Sequence, residues 1–404
     1  MAGSVVIVGG GHAGGQAAAA LRSEGFSGRI VLVADEPHLP YQRPPLSKGF
    51  LSGELGIERV YLKSEAFYPQ QHIELLLDRH AEAIDRDQRT VYLNDGQVLD
   101  YDNLLLATGS AVRRLEVPGA ELPGVYYLRA LRDSEAIRAH LKPGATMVVV
   151  GGGYIGLEVA SVAATQGLRV TVLEMAPHVM ARVVDPAVAA VIAQAHRLHG
   201  VDICTGTTVV ALEGTERVTS VRCADGASYP ADLVVIGVGI APDTKLAATA
   251  GLRCENGIWV DEYARTSDPA IFACGDCTYH PNPLLGCRLR LESVHNAVAQ
   301  SRVAAANLCG KQNPYSEIPW FWSDQYDIKL QLAGVSGQHD QLVFRGDPKS
   351  GRFSAFYLEE GIPVAVNTFN DPQEFMAART LLARRPPLDP KQLADPRKAL
   401  SQFA

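Results

Sequence analysis

Two stretches of the chain share one pattern: a short run of β-branched residues enters a glycine-rich turn, and an apolar-periodic helix follows at once. In the first stretch, residues 4–8 lead into GGGHAG at residues 9–14, and the helix is predicted to run to about Arg22. In the second, residues 148–150 lead into GGGYIG at residues 151–156. This spacing of glycines predicts a dinucleotide-binding turn, in which the backbone approaches a pyrophosphate at a helix N-terminus.

An acidic residue follows the second apolar strand of each stretch. Asp35 follows the strand predicted at residues 29–34 and lies 21 residues after the last glycine of the first turn. Glu174 follows the strand predicted at residues 170–173 and lies 18 residues after the last glycine of the second turn. A carboxylate in this place can accept hydrogen bonds from the two ribose hydroxyls of an adenosine.

A hairpin and a buried strand come next in each half. The dipeptides Asp95-Gly96 and Asp225-Gly226 each predict a β-hairpin. The buried strands predicted after them cover residues 104–107 and 233–236. The repeated order of turn, acid, hairpin and strand predicts an internal duplication. Two unequal copies of one module predict that the chain binds two different dinucleotides.

The C-terminal part of the sequence has neither a glycine fingerprint nor a charged cluster typical of catalysis. Short strands are predicted at residues 329–333, 341–344, 353–358 and 362–368, and a helix from Pro372 to about Arg384. We interpret this part as an interface domain that completes a cofactor pocket. The proline-rich tail after Pro386 is predicted to be loosely packed.

The composition predicts a globular protein of two or three domains, because the 404 residues are 47% hydrophobic and only 20% charged. The formal net charge of −7 argues against nucleic acid or an acidic membrane surface as the main partner. No run approaches the roughly 20 apolar residues of a spanning helix. Residues 5–8 enter Gly9 directly and predict a strand, not a signal peptide. We therefore expect a cytoplasmic location and no membrane partner.

The cysteines do not form a secreted disulfide framework, because their number is odd and they are scattered. They are Cys204, Cys223, Cys254, Cys274, Cys277, Cys287 and Cys309. Cys274 and Cys277 form a C-x-x-C, for which a redox dithiol is one hypothesis. The apolar strand before them and the Gly-Asp between them favour a different role. No second C-x-x-C exists to complete a zinc or iron–sulfur site, and no metal site is predicted.

Two bound dinucleotides are most simply a flavin that stays bound and a nicotinamide that exchanges, with hydride transfer between them. Five segments add to this pattern: RPPLSK at residues 43–48, ATG at 107–109, GYIGLE at 153–158, ACGD at 273–276 and WFWSDQ at 320–325. With them, nearly the full length of the chain resembles the FAD-dependent pyridine-nucleotide reductases. Within these it is similar to the putidaredoxin-reductase type, NADH-dependent ferredoxin reductases that serve oxygenases.

The resemblance implies an α/β fold with two Rossmann-like dinucleotide-binding domains and a C-terminal α+β domain. It implies that FAD binds at the first glycine turn and NADH at the second. The FAD-binding domain, residues 1–112 and 241–325, is then split by an inserted NADH-binding domain, residues 113–240. Residues 326–404 form the C-terminal interface domain.

Three residues are implied to carry the chemistry. A cation beside a reduced flavin stabilises its negative charge, and Lys48, after the stiff pair Pro44-Pro45, matches the family's residue in that role. The resemblance implies that Glu158 faces the flavin and pairs with Lys48, and that Trp322 lies at the flavin edge beside the docked acceptor. By composition alone Lys48 would be a solvated lysine, and Glu158 could be only a first-turn acid favoured by the helix dipole. Trp320 is expected to be core.

The resemblance also implies the residues that contact each cofactor. Those for FAD are Gly9, Gly11, His12, Ala13, Gly14, Asp35, Glu36, Arg43, Pro45, Lys48, Ala81, Ala107, Thr108, Gly109, Asp276, Ser293, Val294 and Trp322. Those for NADH are Gly151, Gly153, Tyr154, Ile155, Gly156, Glu158, Glu174, Arg182 and Gly239. Alternatives stay open: Asp276 could form an Asx-turn or cap a helix, Ser293 could be only a helix cap, and Arg182 a surface arginine. His295 is interpreted as packing.

The charge after the second acid predicts which nicotinamide binds. Glu174 is followed by Met175-Ala176-Pro177, so the sequence has no arginine where a 2′-phosphate would lie. A carboxylate there would repel NADPH, and we predict NADH.

The electrons are predicted to leave the chain, because no cysteine precedes Cys204 and an internal sulfur relay is poorly supported. The expected partner is an acidic 2Fe-2S ferredoxin. Residues 326–404 carry ten Lys and Arg against nine Asp and Glu, so docking is predicted at this less negative part of the protein. The candidate docking residues are Arg288, Arg290, Lys329 and Arg345.

The predicted function is therefore FAD-dependent transfer of electrons from NADH to a ferredoxin that feeds a haem monooxygenase or a ring-hydroxylating dioxygenase. A rubredoxin reductase and a general NADH oxidase are alternatives. A further alternative is a redox-sensing flavoprotein that resembles apoptosis-inducing factor, which would need a targeting segment and a basic patch that the sequence does not show. We expect a monomer or a weak dimer.

Overall fold

The computed structural model describes residues 3–337 and 339–403. The chain divides into two compact units, each built from separate parts of the sequence. The first unit comprises Met1–Arg43, Ile57–Ala111 and Ala241–Pro319, and the second comprises Pro44–Gly56, Val112–Ile240 and Trp320–Ala404. The chain changes unit five times, and two of these changes fall within the short strands Ser110–Val112 and Ile240–Pro242.

A five-stranded parallel sheet forms the centre of the first unit. Its strands, in spatial order, are Ile271–Ala273, Asn103–Leu106, Ser4–Val8, Arg29–Val33 and Ile73–Leu76. Four of these strands are mainly apolar and buried, because both faces of the sheet are covered, whereas the edge strand Ile73–Leu76 carries the exposed Glu74. The helices His12–Ser23 and Val294–Leu308 contribute to one of the cores that cover it, with Ala17, Leu21 and Ala304 in contact with the sheet's apolar residues.

A three-stranded antiparallel sheet, a four-stranded mixed sheet and several short helices complete the first unit. The strands of the three-stranded sheet are Ala81–Asp85, Thr90–Leu93 and Val98–Asp100. Those of the four-stranded sheet are Cys254–Glu255, Gly257–Trp259, Thr278–Asn282 and Cys287–Leu289. The short helices are Ile57–Arg59, Phe67–Gln70 and Lys245–Thr249.

The second unit repeats this arrangement. Its parallel sheet contains Asp202–Thr205, Arg169–Glu174, Thr146–Val150, Leu233–Ile236 and Val125–Tyr127, in that spatial order. The helices Leu131–Arg138, Tyr154–Thr165 and Pro186–Leu198 accompany it, and Pro44–Ser47 and Gly49–Ser52 form short helical turns. The antiparallel sheet contains Val209–Gly214, Val218–Cys223 and Ser228–Pro230. Four strands of each sheet correspond in spatial order, as the predicted duplication requires, whereas the fifth is Ile271–Ala273, late in the chain, in the first sheet and Val125–Tyr127, before the second glycine turn, in the second.

The C-terminal part of the second unit is a five-stranded antiparallel sheet with a helix. Its strands are Trp320–Gln325, Ile328–Gly334, Ile362–Phe369, Arg352–Glu359 and Gln341–Asp347, and its main helix is Pro372–Arg384, with a short turn at Pro348–Ser350. The four predicted strands and the predicted helix are all present. The aromatic segment WFWSDQ forms a further strand at one edge of the sheet, which the sequence analysis had not assigned.

The prediction of a loosely packed tail after Pro386 is wrong. This segment contains the short helices Pro390–Leu393 and Leu400–Phe403, and it buries leucines such as Leu393, which is fully inaccessible. Arg345 holds the tail, because its guanidinium donates to the carbonyls of Leu393 at 3.0 Å and Asp395 at 2.6 Å. Arg345 is only 5% exposed and pairs with Glu374, so its prediction as a docking residue is also wrong.

None of the helices in the part of the chain that the structure describes is long and apolar enough to cross a bilayer.

Candidate dinucleotide sites

The first glycine turn leaves space beside the N-terminus of the helix His12–Ser23. Gly9 has φ +119°, and a side chain there would place its Cβ 2.1 Å from the Ala107 carbonyl oxygen, so only glycine fits. Gly11 is the N-cap and no side chain caps this helix. A Cβ on Gly11 would meet only an Arg43 guanidinium nitrogen, at 4.0 Å. The turn therefore presents backbone N–H groups to open space, which is the setting in which an anion binds.

Polar groups around this turn fit a pyrophosphate. Arg43 pairs with Glu36 at 3.1 Å and donates to the Tyr41 hydroxyl at 3.2 Å. Burial, with a smaller contribution from the Arg43 charge, lowers the pKa of His12 to about 4, so its ring is neutral at pH 7. The buried His12 Nδ1 has no hydrogen-bond partner among the described residues. A bound FAD phosphate would lie beside a cation and an unsatisfied nitrogen.

The acids of the two units lie at different registers. In the first unit Gly9 N bonds to Val33 O, and in the second Gly151 N bonds to Leu173 O, so Ala34 is the counterpart of Glu174. Asp35 lies one residue further along and is exposed. Glu36 is half-buried and accepts from Arg43 and Tyr41. The first unit thus has no acid at the position that Glu174 occupies.

The other FAD residues predicted in the first unit end strands of its parallel sheet or begin neighbouring elements. Thr108 follows the strand Asn103–Leu106, and its hydroxyl donates to the Asp243 carbonyl at 2.6 Å. Asp276 follows the strand Ile271–Ala273 and accepts from the Ser110 hydroxyl at 3.1 Å. The remaining members are Ala81, which begins a strand, Ala13 and Gly14 in the first helix, Ala107 and Gly109 beside Thr108, and Ser293 and Val294. Ser293 caps its helix by accepting from Asn296 N at 3.1 Å, so the structural alternative for Ser293 is present.

Cys274 and Cys277 are both completely buried in the first unit, and each is a free thiol. Cys277 Sγ lies 3.4 Å from the Cys274 carbonyl oxygen. Burial raises the pKa of Cys277 to about 11 and also raises the pKa of Cys274. Protonated, inaccessible thiols are poor nucleophiles, and this environment does not favour the dithiol hypothesis.

The second glycine turn repeats the geometry of the first. Gly151 has φ +109°, and a Cβ there would lie 2.4 Å from the Gly237 carbonyl oxygen. Gly153 is the N-cap of the helix Tyr154–Thr165, which again has no side-chain cap. A Cβ on Gly153 would meet no protein atom within 4 Å, so the space it faces is open to a ligand. Gly156 is confined by the backbone, because a Cβ there would lie 2.1 Å from Gly151 O.

Glu174 is oriented by the backbone at the end of its strand. Its carboxylate accepts from Gly152 N at 2.6 Å and from Ala176 N at 2.7 Å. These bonds leave acceptor capacity on both oxygens for ribose hydroxyls.

The predicted residues Arg182 and Gly239 lie together in this unit. An Arg182 guanidinium nitrogen is 3.8 Å from the position of a Cβ on Gly239, which has φ +107°. Arg113 lies equally close to this position, with its Cδ at 3.7 Å. Arg113 was not predicted from the sequence, since it directly follows the short strand Ser110–Val112 and belongs to no recognised motif. Ile155 is 41% exposed on the helix that the turn begins.

Lys48 and Glu158 form the ion pair that the sequence analysis predicted, entirely within the second unit. Lys48 Nζ lies 2.6 Å from Glu158 Oε2, and the Glu158 side chain is only 2% exposed. Ser47 donates to the same oxygen at 2.5 Å, and Ser323 donates to Oε1 at 2.6 Å. A cation and two hydroxyl donors hold this buried carboxylate in one position. Ser47 and Ser323 were missed, although both lie within recognised motifs.

Aromatic side chains of the strand Trp320–Gln325 lie near the helix Tyr154–Thr165, which carries Glu158. Tyr154 and Phe321 have ring centroids 4.4 Å apart. Trp320 packs against Phe375, with ring centroids 5.8 Å apart, but it is only half-buried, as Trp322 is, so the structure does not place Trp320 in the core. Pro45, Lys48 and Trp322 thus belong to the second unit, whereas the other predicted FAD residues belong to the first.

Two of the predicted docking residues make internal contacts instead. Arg288 donates to the carbonyls of Val260 and Tyr279 at 2.5 and 2.6 Å. Arg290 is largely covered and pairs with Glu292. Lys329 is exposed.

Comparisons with known proteins agree with this geometry. Residues 3–301 match the family model described as pyridine nucleotide-disulphide oxidoreductase, and residues 320–404 match the one described as reductase C-terminal. The chain is 44% identical to the probable ferredoxin reductase CtmF of Castellaniella defragrans, over 99% of this chain and 98% of that protein. It is 44% identical to putidaredoxin reductase CamA of Pseudomonas putida, over 97% of this chain and 94% of that protein. A crystal structure of the covalent putidaredoxin reductase–putidaredoxin complex superposes with a TM-score of 0.97 at 43% identity, over 99% of this chain and 98% of that one.

Proposed function

Since the chain belongs to the pyridine nucleotide-disulphide oxidoreductases, in the branch of putidaredoxin reductase, we propose that it is the NADH-dependent ferredoxin reductase of an oxygenase system. It is a flavoprotein oxidoreductase whose cofactors are FAD and NADH. Bound FAD supplies the chemistry that connects a two-electron donor to one-electron acceptors. In balance, one NADH and two oxidised ferredoxins give NAD⁺, one proton and two reduced ferredoxins.

The first glycine turn would hold FAD. Its helix N-terminus, Arg43 and the unpartnered His12 Nδ1 suit the pyrophosphate. Thr108, Gly109 and Asp276 lie at the carboxyl ends of strands in the same sheet, where ligands of such folds bind. Because the unit lacks a counterpart of Glu174, the half-buried Glu36 is the better candidate than Asp35 for the ribose of FAD.

The second glycine turn would hold NADH. Glu174 is fixed by two backbone N–H groups at the position from which it can bind the adenosine ribose. Its negative charge disfavours the 2′-phosphate of NADPH. Arg113 and Arg182, next to Gly239, supply positive charge for the pyrophosphate.

The Lys48–Glu158 pair is the observation on which the proposal chiefly depends. Lys48 belongs to the segment RPPLSK and Glu158 to the helix that starts at the second glycine turn, so this hydrogen-bonded charge pair joins the two segments. Lys48 would stabilise negative charge on the flavin, and Glu158 would hold the Lys48 ammonium in place. The buried thiols of Cys274 and Cys277 offer no internal route for electrons, so the acceptor is a separate protein.

That acceptor is a ferredoxin, and we propose the 2Fe-2S type. Trp322 and Lys329 remain the docking candidates among the predicted residues, since Arg288, Arg290 and Arg345 make internal contacts. The division into FAD, NADH and C-terminal domains, the monomer or weak dimer, and the cytoplasmic location stay predictions.

Reduction of cytochrome c by NADH, through added carriers, tests the function. We expect fast reduction only when a 2Fe-2S ferredoxin is present. Equal reduction through a rubredoxin would favour the rubredoxin alternative, and slow NADH oxidation indifferent to any carrier would favour an oxidase or a redox sensor. These alternatives are less well supported, because the relatives above are ferredoxin and putidaredoxin reductases.

A further inference from the structure

A set of buried polar side chains extends from Glu158 through the second unit. Ser323 Oγ donates to Glu158 at 2.6 Å, and Gln325 Nε2 donates to Ser323 Oγ at 3.0 Å. Gln325 Oε1 lies 2.8 Å from His196 Nε2, and the Tyr326 hydroxyl lies 3.1 Å from His196 Nδ1. Ser323, Gln325 and His196 are each at most 2% exposed. We call the four residues Ser323, Gln325, His196 and Tyr326 the Glu158 chain.

In the Glu158 chain each residue donates its hydrogen bond towards Glu158, because the last acceptor is a carboxylate. An ionised carboxylate only accepts, so the Ser323 hydroxyl donates to Glu158 and receives the amide N–H of Gln325. The Gln325 oxygen must then accept from the Nε2–H of His196. Burial lowers the pKa of His196 to about 4; the hydrogen bond with Gln325 opposes this shift, and the nearby His199 adds to it. The ring is thus neutral at pH 7, and its Nδ1 is left to accept from Tyr326.

Tyr326 is held in a conformation that a bulky residue rarely adopts. It has φ 55° in the two-residue turn between two C-terminal strands, a place where glycine or asparagine is favoured. Three contacts keep it there: its N–H donates to Ser161 Oγ at 3.0 Å, its hydroxyl bonds to His196, and its ring stacks on His199 at 3.6 Å. Strain of this kind persists only where the surroundings fix it, and it often marks a functional site.

We propose that Ser323, Gln325 and His196 are positioning residues for Glu158, and that the charge of Glu158 in turn fixes the tautomer of His196. An amide does not readily pass on a proton, so the chain holds the carboxylate in place and does not conduct protons. The charged and titratable groups that face Glu158 are Lys48 and Tyr154. Those that face His196 are His199 and Tyr326. The predicted effect on flavin reduction rests on the proposed function, but the effect on the His196 tautomer does not.

Nitrogen NMR of the oxidised, FAD-bound protein labelled with ¹⁵N-histidine tests the tautomer. The chain has eleven histidines, and H196Q identifies the signals of His196. We expect the Nε2–H tautomer in the wild type and a mixture of both tautomers in S323A, which disconnects Gln325 from Glu158. The control T368V removes another fully buried hydroxyl of this unit, bonded to Ser354 at 3.3 Å, and should leave His196 unchanged. An Nδ1–H ring in the wild type, or a single unchanged tautomer in S323A, would overturn the proposal.

Reduction of the flavin by NADH in stopped flow tests the positioning role. S323A and Q325L should each lower the rate constant of flavin reduction at saturating NADH by roughly tenfold and leave the half-saturating NADH concentration unchanged. S323A removes the hydrogen bond to Glu158, and Q325L removes the bond that orients Ser323. The double variant should be no slower than the slower single variant, since both changes cut one chain. If the losses of rate in the two single variants multiply in the double variant, or if T368V lowers the rate constant as much as S323A does, this role is contradicted. If the wild type reduces no ferredoxin at all, the proposed function fails while the NMR result still stands.

Discussion

Lys48 is the residue whose replacement should affect catalysis most directly. In K48M, Glu158 keeps the hydroxyls of Ser47 and Ser323 but loses the ammonium that pairs with it at 2.6 Å. We expect the rate constant of flavin reduction by NADH to fall by roughly tenfold or more, because the cation that stabilises charge on the flavin is gone. Stopped-flow bleaching measures this rate. K311M, which removes an exposed lysine paired with Glu24, is the control. An unchanged bleaching rate in K48M would remove Lys48 from the site.

The choice of nicotinamide is also decided by a single residue. E174Q keeps the shape of the side chain but removes its charge, so the ratio of kcat/KM for NADPH to that for NADH should rise by roughly tenfold. Steady-state kinetics with both nucleotides measures this ratio, and E213Q, on an exposed hairpin, is the control. The KM for NADH should also rise, since an amide cannot accept from both Gly152 and Ala176. A wild type that already uses both nucleotides equally would contradict the argument.

At the scale of elements, local patterns were predicted well and long-range contacts were not. The glycine turns were recognisable because part of their geometry is local: a Cβ on Gly14 would meet Gly9 O, and a Cβ on Gly156 would meet Gly151 O, within the same turn. The register difference between Ala34 and Glu174 was missed, since both strands have the same pattern of apolar residues. The support of Glu158 by Ser323 joins residues 165 apart, and no periodicity reports such a contact.

The C-terminal tail shows the same limitation and provides a test. Its composition indicated loose packing, but Arg345 satisfies its carbonyls from the preceding sheet. R345M should lower the free energy of unfolding by about 3–5 kcal/mol, because it leaves Glu374 unpaired and buried carbonyls unsatisfied. The control R352M breaks the pair of a 66% exposed arginine with Asp371 and should change the free energy of unfolding much less, because solvent screens an exposed pair. Chemical denaturation measures both, and equal effects would contradict this role of Arg345.

At the scale of the whole molecule, buried neutral histidines should make stability depend on pH. Burial lowers the pKa of His196 in the second unit and of His280 in the first to about 4, from an ordinary 6.5. Between these values the unfolded chain binds protons that the folded protein does not, so stability falls as pH drops from 6.5 towards 4. Each histidine should contribute about 2 kcal/mol of this loss by pH 5.

H280F isolates one of these contributions. It keeps the ring that packs against Tyr315 at 4.8 Å and removes two buried nitrogens that have no partner among the described residues. The drop in unfolding free energy from pH 7 to pH 5 should be about 2 kcal/mol smaller in H280F than in the wild type. An identical pH dependence of the two proteins in chemical denaturation would show that His280 titrates normally in the folded state.

The central claim is that one chain passes a hydride from NADH to bound FAD and then exports electrons singly. An anaerobic titration followed by absorbance tests it most directly. One equivalent of NADH should bleach the flavin of the purified yellow protein, and subsequent mixing should reduce two equivalents of a 2Fe-2S ferredoxin while the yellow colour returns. A folded protein that holds no flavin after reconstitution, or a flavin that NADH does not bleach, would contradict the account.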